Sequence, residues 1–285
     1  GAPSLLGTIP SFPFPEAAAS ALGRVTQYGE WKRRPVGVIP SFEDVRADEA
    51  RAIVSQALGR GGGWLTPVEA RDLLQSFGVE VVETHLVSTA EEAARVAAEI
   101  GFPVVLKAVG PAILHKTEVG GVALSLASEA AVRDVYKDME ARLGDRMTGA
   151  AIQRMVPGGV EVVVGATLDP TFGPLVLYGT GGTLVELFND VSFRISPLSD
   201  LDVLEMLAEV KGTALLRGYR GSLPADEIAL REIILRVSAL LETCPEIQEM
   251  DANPIKVLGK GAIVVDARIR VDRQPERPPT RRIAY

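Results

Sequence analysis

Two periods of hydrophobic and polar positions run along this chain, and the switches between them mark its elements. From Trp64 onward, stretches with apolar residues every three or four positions interleave with shorter runs that alternate or stay apolar. The first pattern is the stripe of an amphipathic helix, the second that of a strand. Thr66-Pro67-Val68-Glu69 predicts a helix start: the threonine hydroxyl and the glutamate three residues on cap free amides, and proline suits the first helical position. Gly78 ends that helix and "VEVVET" (79–84) reads as a strand. Thr89 and Glu92 repeat the capping spacing, and the helix they open runs to Ile100, where Gly101 stops it. A strand over Val104–Lys107, a loop, a strand over Val122–Leu126 and a helix from Ser128 to near Leu143 follow. Strand patterns then dominate in "AAIQRMV", "VEVVVGATL", "GPLVLYG" and "VSFRI". Helices return over Leu201–Glu209 and Pro224–Glu242, and a hairpin spans Ile247 to Ile269. This order predicts an α/β fold with mixed strand order, a small early lobe and a larger later one.

The first sixty residues follow neither pattern for long. They are proline-rich, with one short helix predicted from Pro15 to Tyr28 and another from Glu43 to Leu58, before "GRGGG" breaks the chain. Pro15 takes the first helical position, and Glu16 suits the positive end of the helix dipole. The segment reads as the tail of another domain plus a linker, with Trp31 and Trp64 as packing anchors.

Composition narrows the classes. At 285 residues, 47% apolar and 24% charged, the chain has ample material for a buried core. No apolar run approaches the ~20 residues of a membrane span, and no secretory leader is recognised. A single cysteine, Cys244, excludes an internal disulfide framework and a cysteine-based zinc site, and agrees with a reducing cytoplasm. It reads as a packing residue. A net charge of −7 argues against a nucleic-acid binder, which needs a broad basic surface. A small polyanion remains open as a ligand.

Candidate chemistry concentrates in "PVVLKAVGPAILHKTEVGGV", residues 103–122. Alternation sets Val105 and Lys107 on one face of the strand. A lysine ending an apolar strand either snorkels to solvent or meets an anion. The loop beyond it adds His115, Lys116 and the Gly120–Gly121 pair, and such glycines let backbone amides approach a phosphate. A second cluster lies in "IQEMDANPIKVLGKGAIVVDARI". Counting outward from a Gly-first turn at Gly259–Lys260 pairs Asn253 with Asp266 and Asp251 with Arg268, on one face. An amide oxygen facing a carboxylate suits Mg²⁺, but it equally suits a solvated face with an Asp–Arg pair. Pro254 can also insert a bulge there.

These stretches, together with "GGVEVVVGATLDPTFGPLVLYGTGGTLVELFNDVSFRISPL", resemble the ATP-grasp module of the NDP-forming acyl-CoA synthetases, the family of ADP-forming acetate–CoA ligases. The resemblance covers residues 62–272, with the small lobe roughly 80–155, and leaves 273–285 as a tail. It implies a two-lobed ATP-grasp fold with mixed sheets, and 1–61 as the end of an upstream CoA-ligase region. It implies Mg²⁺ as cofactor and ATP or ADP as substrate. Lys107 would contact phosphate, with Gly120 and Gly121 over it. Gln153, Met155 and Val156 lead into the hinge that reads adenine, and Glu161 lies near the ribose. Asn253 and Asp266 correspond to the magnesium ligands, which decides for metal between the two readings above. Glu186 falls near the transfer site, and Leu168 replaces a residue that is polar or basic in many members.

By the same resemblance His115 is the catalytic residue, a second phosphohistidine that relays phosphate between an upstream phosphohistidine and nucleotide. A neutral imidazole, with an ordinary pKa near ~6.5, is a competent nucleophile at neutral pH. The other histidine, His85, is read as structural. The partners implied are CoA-binding and CoA-ligase domains, upstream in the same protein or on another subunit. No nucleic acid or membrane is expected, and a homo-oligomer is open. Two other readings stand beside this one: a non-catalytic regulatory module of an acetyltransferase-type fusion, and an ATP-grasp ligase working through an acyl phosphate. The acyl substrate and the choice of ADP or GDP are not legible in the residues.

Overall fold

Helix and sheet faces were assigned from a computed structural model that describes residues 12–110, 113, 119–181, 190–219 and 221–273. The chain divides into two units, residues 1–37 and 38–285. In the first, α1 (Pro15–Lys32) runs past the expected end at Tyr28, and none of its residues is buried. Trp31 stacks on Tyr28 with ring centroids 5.6 Å apart, yet both stay exposed, so Trp31 is no buried anchor.

The second unit begins with α2 (Ala47–Gly59), β1 (Gly63–Trp64) and α3 (Pro67–Ser76). The capping box at Thr66 forms as expected: Glu69 N–H donates to the Thr66 hydroxyl, and Thr66 N–H donates back to the Glu69 carboxylate at 2.9 Å. The chain continues through β2 (Thr84–Val87), α4 (Ala90–Ile100), β3 (Val104–Val109), β4 (Val122–Leu126), α5 (Glu129–Leu143) and β5 (Gly149–Arg154). Next come β6 (Val160–Asp169), β7 (Gly173–Thr180), β8 (Val191–Ile195), α6 (Asp200–Glu209) and α7 (Glu227–Thr243). The chain closes with β9 (Ile247–Val257), β10 (Ala262–Val264) and β11 (Ala267–Val271).

Among the described residues these strands form two sheets. A four-stranded sheet has the order β2-β5-β3-β4, and a seven-stranded one the order β1-β11-β9-β6-β7-β8, with β10 beside β9. The strand order is mixed as expected, but every ladder is antiparallel. Among the described residues, parallel pairing is confined to one bridge, Val81 to Val264.

That bridge explains the one displaced strand. The stretch 79–83 was expected to start the small sheet, but Val82 N–H donates to Val264 O and Val264 N–H to Glu80 O. Its backbone is spent along β10 of the large sheet, and the small-sheet strand starts only at Thr84. The chain thus crosses between sheets while still extended.

Each sheet buries one face under helices. Val104, Leu106, Ala108, Ala150 and Ile152 pack against Ala93, Ala97, Val132, Tyr136 and Met139 of α4 and α5. The large sheet packs Val164, Val176, Tyr178 and Ile255 against Leu73, Leu74, Met206, Ile234 and Val237. Each such Leu or Ile contributes about 1.5–3 kcal/mol by leaving water. Cys244 joins this core, as expected of a packing residue, and burial pushes its thiol up to about 11. Trp64, in β1 against Arg270, is 43% exposed; it extends a sheet edge instead of anchoring a linker.

Candidate functional site

Lys107 lies on the face of the small sheet that the helices leave uncovered. Its strand neighbours Leu106 and Ala108 point into the core under α4 and α5, so Lys107 projects the other way. It is nonetheless buried. Its Nζ donates to Val265 O at 3.0 Å and lies 3.7 Å from Asp266 Oδ1. Both partners belong to the large sheet's last hairpin. A buried ammonium needs such acceptors, because removing it from water unpaired is costly.

The hairpin has the register counted from the sequence. Arg268 stands opposite Asp251 and Ala267 opposite Ala252, while Asn253 N–H donates to Asp266 O at 2.9 Å. On its other side β9 does carry a bulge. Val162 pairs with Ile255 and Val164 with Ala252, so Asn253 and Pro254 together face one residue of β6. The partner strand breaks at the same level, between β10 and β11, and Val265 N–H bonds Pro254 O at 2.9 Å. The register therefore survives the bulge. The turn lies at Gly259–Lys260 as expected, closed by Leu258 N–H donating to Gly261 O at 2.9 Å; Gly261 takes the left-handed conformation (φ 80°), and its N–H donates to Asp226 Oδ2 at 2.9 Å.

This places Asn253 opposite Asp266, with Lys107 reaching Val265 and Asp266 from the other sheet. Asp251 lies along the same strand, where burial pushes its carboxyl up and Arg268 pulls it partly back. No group of three or more His, Cys, Asp or Glu side chains suited to a metal occurs among the described residues. The donor set is one amide and one carboxylate beside a cation. Two oxygens of this kind fit Mg²⁺, which keeps water and takes phosphate oxygens for the rest of its shell.

The glycine pair is held by its carbonyls. Arg142 Nη2 donates to Gly120 O at 2.8 Å, and Ala108 N–H to Gly121 O at 2.7 Å. Gly120 has φ 64°, a left-handed conformation that favours glycine. His115, Lys116 and Glu186 lie outside the described residues. A cleft of about 450 Å³ between Trp64, Thr66, Gly110, Ile113, Thr148 and Arg268 flanks the start of the His115 loop.

The expected hinge lies at the other end of the uncovered face. Gln153, on β5, pairs across with Val105, two residues along from the Lys107–Ala151 pair. Met155 N–H donates to Pro103 O at 3.0 Å. Val156 O accepts from Lys256 Nζ at 2.9 Å, and the same ammonium lies 3.7 Å from Glu161 Oε1. Glu161 O in turn accepts from Gly181 N–H at 2.8 Å. Lys256 was not foreseen. Its signal is the bulge at Pro254, which puts position 256 on the face of Glu161, its direct partner across the sheet. Arg142 was also missed, since nothing in a helical arginine shows which loop it will hold. His85 plays no part: it sits on the strand face of Ile152, 3.3 Å from Glu83.

The ATP-grasp domain family matches residues 56–271 of this chain. Among curated proteins, the chain is 40% identical over 256 residues to acetate–CoA ligase (ADP-forming) I of Archaeoglobus fulgidus, covering 88% of this chain but 37% of that protein. It is 39% identical over 229 residues to the beta subunit of acetate–CoA ligase (ADP-forming) I of Pyrococcus furiosus, covering 79% of this chain and 98% of that subunit. Among solved structures, acetyl-coenzyme A synthetase 1 of Ca. Korarchaeum cryptofilum, in complex with coenzyme A and Ca-AMPCP, superposes with a TM-score of 0.74 at 41% identity. That match covers 78% of this chain and 99% of the other. The same protein with coenzyme A and Mg-AMPPCP, its phosphohistidine segment pointing towards the nucleotide binding site, gives 0.69 with the same identity and coverage.

Proposed function

Since the chain belongs to the ATP-grasp domain family, and within it to the group that includes the beta subunit of an ADP-forming acetate–CoA ligase, we propose that it is the nucleotide-binding, phosphoryl-transfer module of an NDP-forming acyl-CoA synthetase. The reaction is acyl-CoA, phosphate and ADP to carboxylate, CoA and ATP, run in either direction. The observation that carries this reading is the approach of Lys107 Nζ to the Asp266 carboxylate from the other sheet, with Asn253 opposite Asp266 in the hairpin. A cation beside a carboxylate, with an amide side chain on the neighbouring strand and on a face free of helices, suits a metal-bound polyphosphate.

In this reading Lys107 binds the phosphates, and Asn253 and Asp266 hold Mg²⁺. The metal would offset charge on the phosphate oxygens when bound. Gly120 and Gly121 lie over the phosphates, while Gln153, Met155 and Val156 border the base and Glu161 the ribose. His115 takes the phosphoryl group from an upstream phosphohistidine: one N–P bond breaks there and another forms on its imidazole. That bond then breaks as a terminal oxygen of ADP attacks, forming the P–O bond of ATP and leaving the imidazole neutral.

The chain spans 37% of the Archaeoglobus enzyme's length, so CoA and carboxylate sites are assigned to other domains, on the same polypeptide or a partner subunit. Residues 1–61 are read as the end of the preceding CoA-ligase region and 62–272 as the ATP-grasp domain. The match to the separate beta subunit is shorter than that to the Archaeoglobus enzyme, 229 residues against 256, and the family match starts at residue 56, which supports this division. No described helix is long and apolar enough to cross a membrane, and we place the protein in the cytoplasm.

The test joins this chain to its upstream domains and follows radiophosphate. Wild type should form ATP from acyl-CoA, phosphate and ADP, with acid-labile label on histidine. His115→Ala should retain label on the upstream histidine and lose ATP formation. Full ATP formation by His115→Ala would remove the relay. Nucleotide binding without label or ATP formation in wild type would favour a regulatory module instead.

A further inference from the structure

Gly121 is buried, and its N–H donates to no acceptor among the described residues. Such orphaned amides are rare in folded chains, because an unpaired buried N–H costs as much as a lost hydrogen bond. The ladder beside it shows which bond is missing. Val122 pairs with Lys107, and Ala108 N–H donates to Gly121 O at 2.7 Å. A regular antiparallel ladder would return a second bond, from Gly121 N–H to Ala108 O. That bond is not formed.

Arg142 accounts for its loss. Its Nη2 donates to Gly120 O at 2.8 Å, and the left-handed φ of 64° at Gly120 lets the chain turn that carbonyl toward the arginine. The peptide joining Gly120 to Gly121 is planar and trans, so its carbonyl and its N–H point in opposite directions. Holding Gly120 O at the end of α5 therefore turns Gly121 N–H away from that helix. Helix α5 packs with Leu106 and Ala108 on the covered face of the small sheet, and Lys107 projects from the other face. The amide is thus turned to the side of Lys107, one residue along from the lysine's partner Val122.

We propose that Arg142 is a positioning residue for the phosphates: by holding Gly120 O it aims Gly121 N–H at a phosphate oxygen beside Lys107. This rests on the nucleotide-binding reading above and adds to it the residue that sets the glycine pair. The unpaired amide is then a donor kept ready for an anion, and it needs no rearrangement when the phosphate arrives. Arg142 acts through the peptide. Its guanidinium is engaged by Gly120 O and, at 3.5 Å, by Asp138 one helical turn back.

The experiment compares the unmodified chain with Arg142→Met by calorimetric titration with Mg-ADP, magnesium pyrophosphate and adenosine. The Arg142 side chain is 48% exposed, so its replacement leaves the core intact, and thermal unfolding checks this. Mg-ADP and pyrophosphate should each bind about three- to tenfold more weakly to the variant, as for the loss of one hydrogen bond of ordinary net strength, while adenosine binds as to wild type. A ¹⁵N-glycine-labelled chain supplies a readout that a merely structural role would not move. The Gly121 amide proton, identified by its loss in Gly121→Ala, should shift downfield when Mg-ADP is added to wild type, and much less in Arg142→Met. Unchanged ADP affinity in a folded Arg142→Met would overturn the proposal. So would a Gly121 resonance that ignores ADP in wild type or shifts as fully in the variant. Equal weakening of adenosine would also overturn it, by showing an effect on the whole cleft. Failure of wild type to bind Mg-ADP would overturn the nucleotide-binding reading as well, which the other outcomes leave standing.

Discussion

Lys107 and Asp266 stand on different sheets, yet the lysine Nζ lies 3.7 Å from the aspartate carboxylate. Buried ion pairs are weak contributors to stability, because desolvation offsets their attraction. Such a pair is better explained by what else it can hold. Replacing Lys107 with Met keeps the aliphatic volume and removes the charge. We expect nucleotide affinity to fall about 10- to 100-fold, the loss of a charge-assisted bond to phosphate. Calorimetry with Mg-ADP checks this, and unchanged affinity would take Lys107 out of the site.

The metal pair separates from the lysine by its concentration dependence. In the proposed site Asn253→Ala removes one oxygen ligand, and it leaves the Lys107–Asp266 contact in place. It should raise the Mg²⁺ concentration needed for half-maximal ADP binding by about tenfold or more, without altering metal-free binding. Asp266→Ala should do the same but strengthen metal-free binding, because Lys107 loses a carboxylate that competes with phosphate. Titrating Mg²⁺ at fixed ADP distinguishes the two. Identical Mg²⁺ curves for Asn253→Ala and wild type would assign that face to solvent.

Local rules written in neighbouring residues were legible. Thr66 and Glu69 announce a capping box and form one, and symmetric counting pairs Asn253 with Asp266 because a hairpin's register is a property of its own few residues. What failed depended on distant partners. The 79–83 stretch has strand composition, but the hydrogen bonds of Glu80 O and Val82 N–H both go to Val264 in the large sheet, which no local pattern records. Lys256 was invisible because its face is set by a bulge opposite β6. Gln153 was placed near the base by resemblance, while its orientation comes from Thr84, far away in sequence. Local chemistry reads forward from the chain; a site built where two sheets meet reads only partly so.

Lys256 supplies a third expectation. Its ammonium bonds Val156 O at 2.9 Å, tying the segment after β5 to β9. Lys256→Met should loosen that tie and spare the phosphate end. ADP should bind about three- to tenfold more weakly, as for the loss of one hydrogen bond of ordinary net strength, while pyrophosphate binding stays as in wild type. Equal weakening of both ligands would mean that Lys256 acts on the whole cleft.

Asp226 joins a helix start to the last hairpin, and its prediction concerns acid stability. One carboxylate oxygen accepts from Gly261 N–H at 2.9 Å and the other from Ala229 N–H at 3.0 Å, capping α7. The Gly261 bond and then the Ala229 bond hold its carboxyl below the ordinary 3.8. A folded value below the unfolded one means that the folded state binds fewer protons, so stability rises with pH across that window. The contribution is present above 3.8 and is lost as pH falls from there through the lower folded value. Asp226→Ala should cost about 1 kcal/mol at pH 7, the usual worth of a helix cap, or about 2–4 °C in a domain of this size. The gap to wild type should narrow below the ordinary carboxyl range, since the wild-type carboxylate is then protonated as well. Asp226→Asn keeps a capping oxygen and should fall between the two. Thermal unfolding at pH 7, 5 and 3 measures all three proteins. A gap that stays constant down to pH 3 would show that the side chain acts by packing and not by its charge.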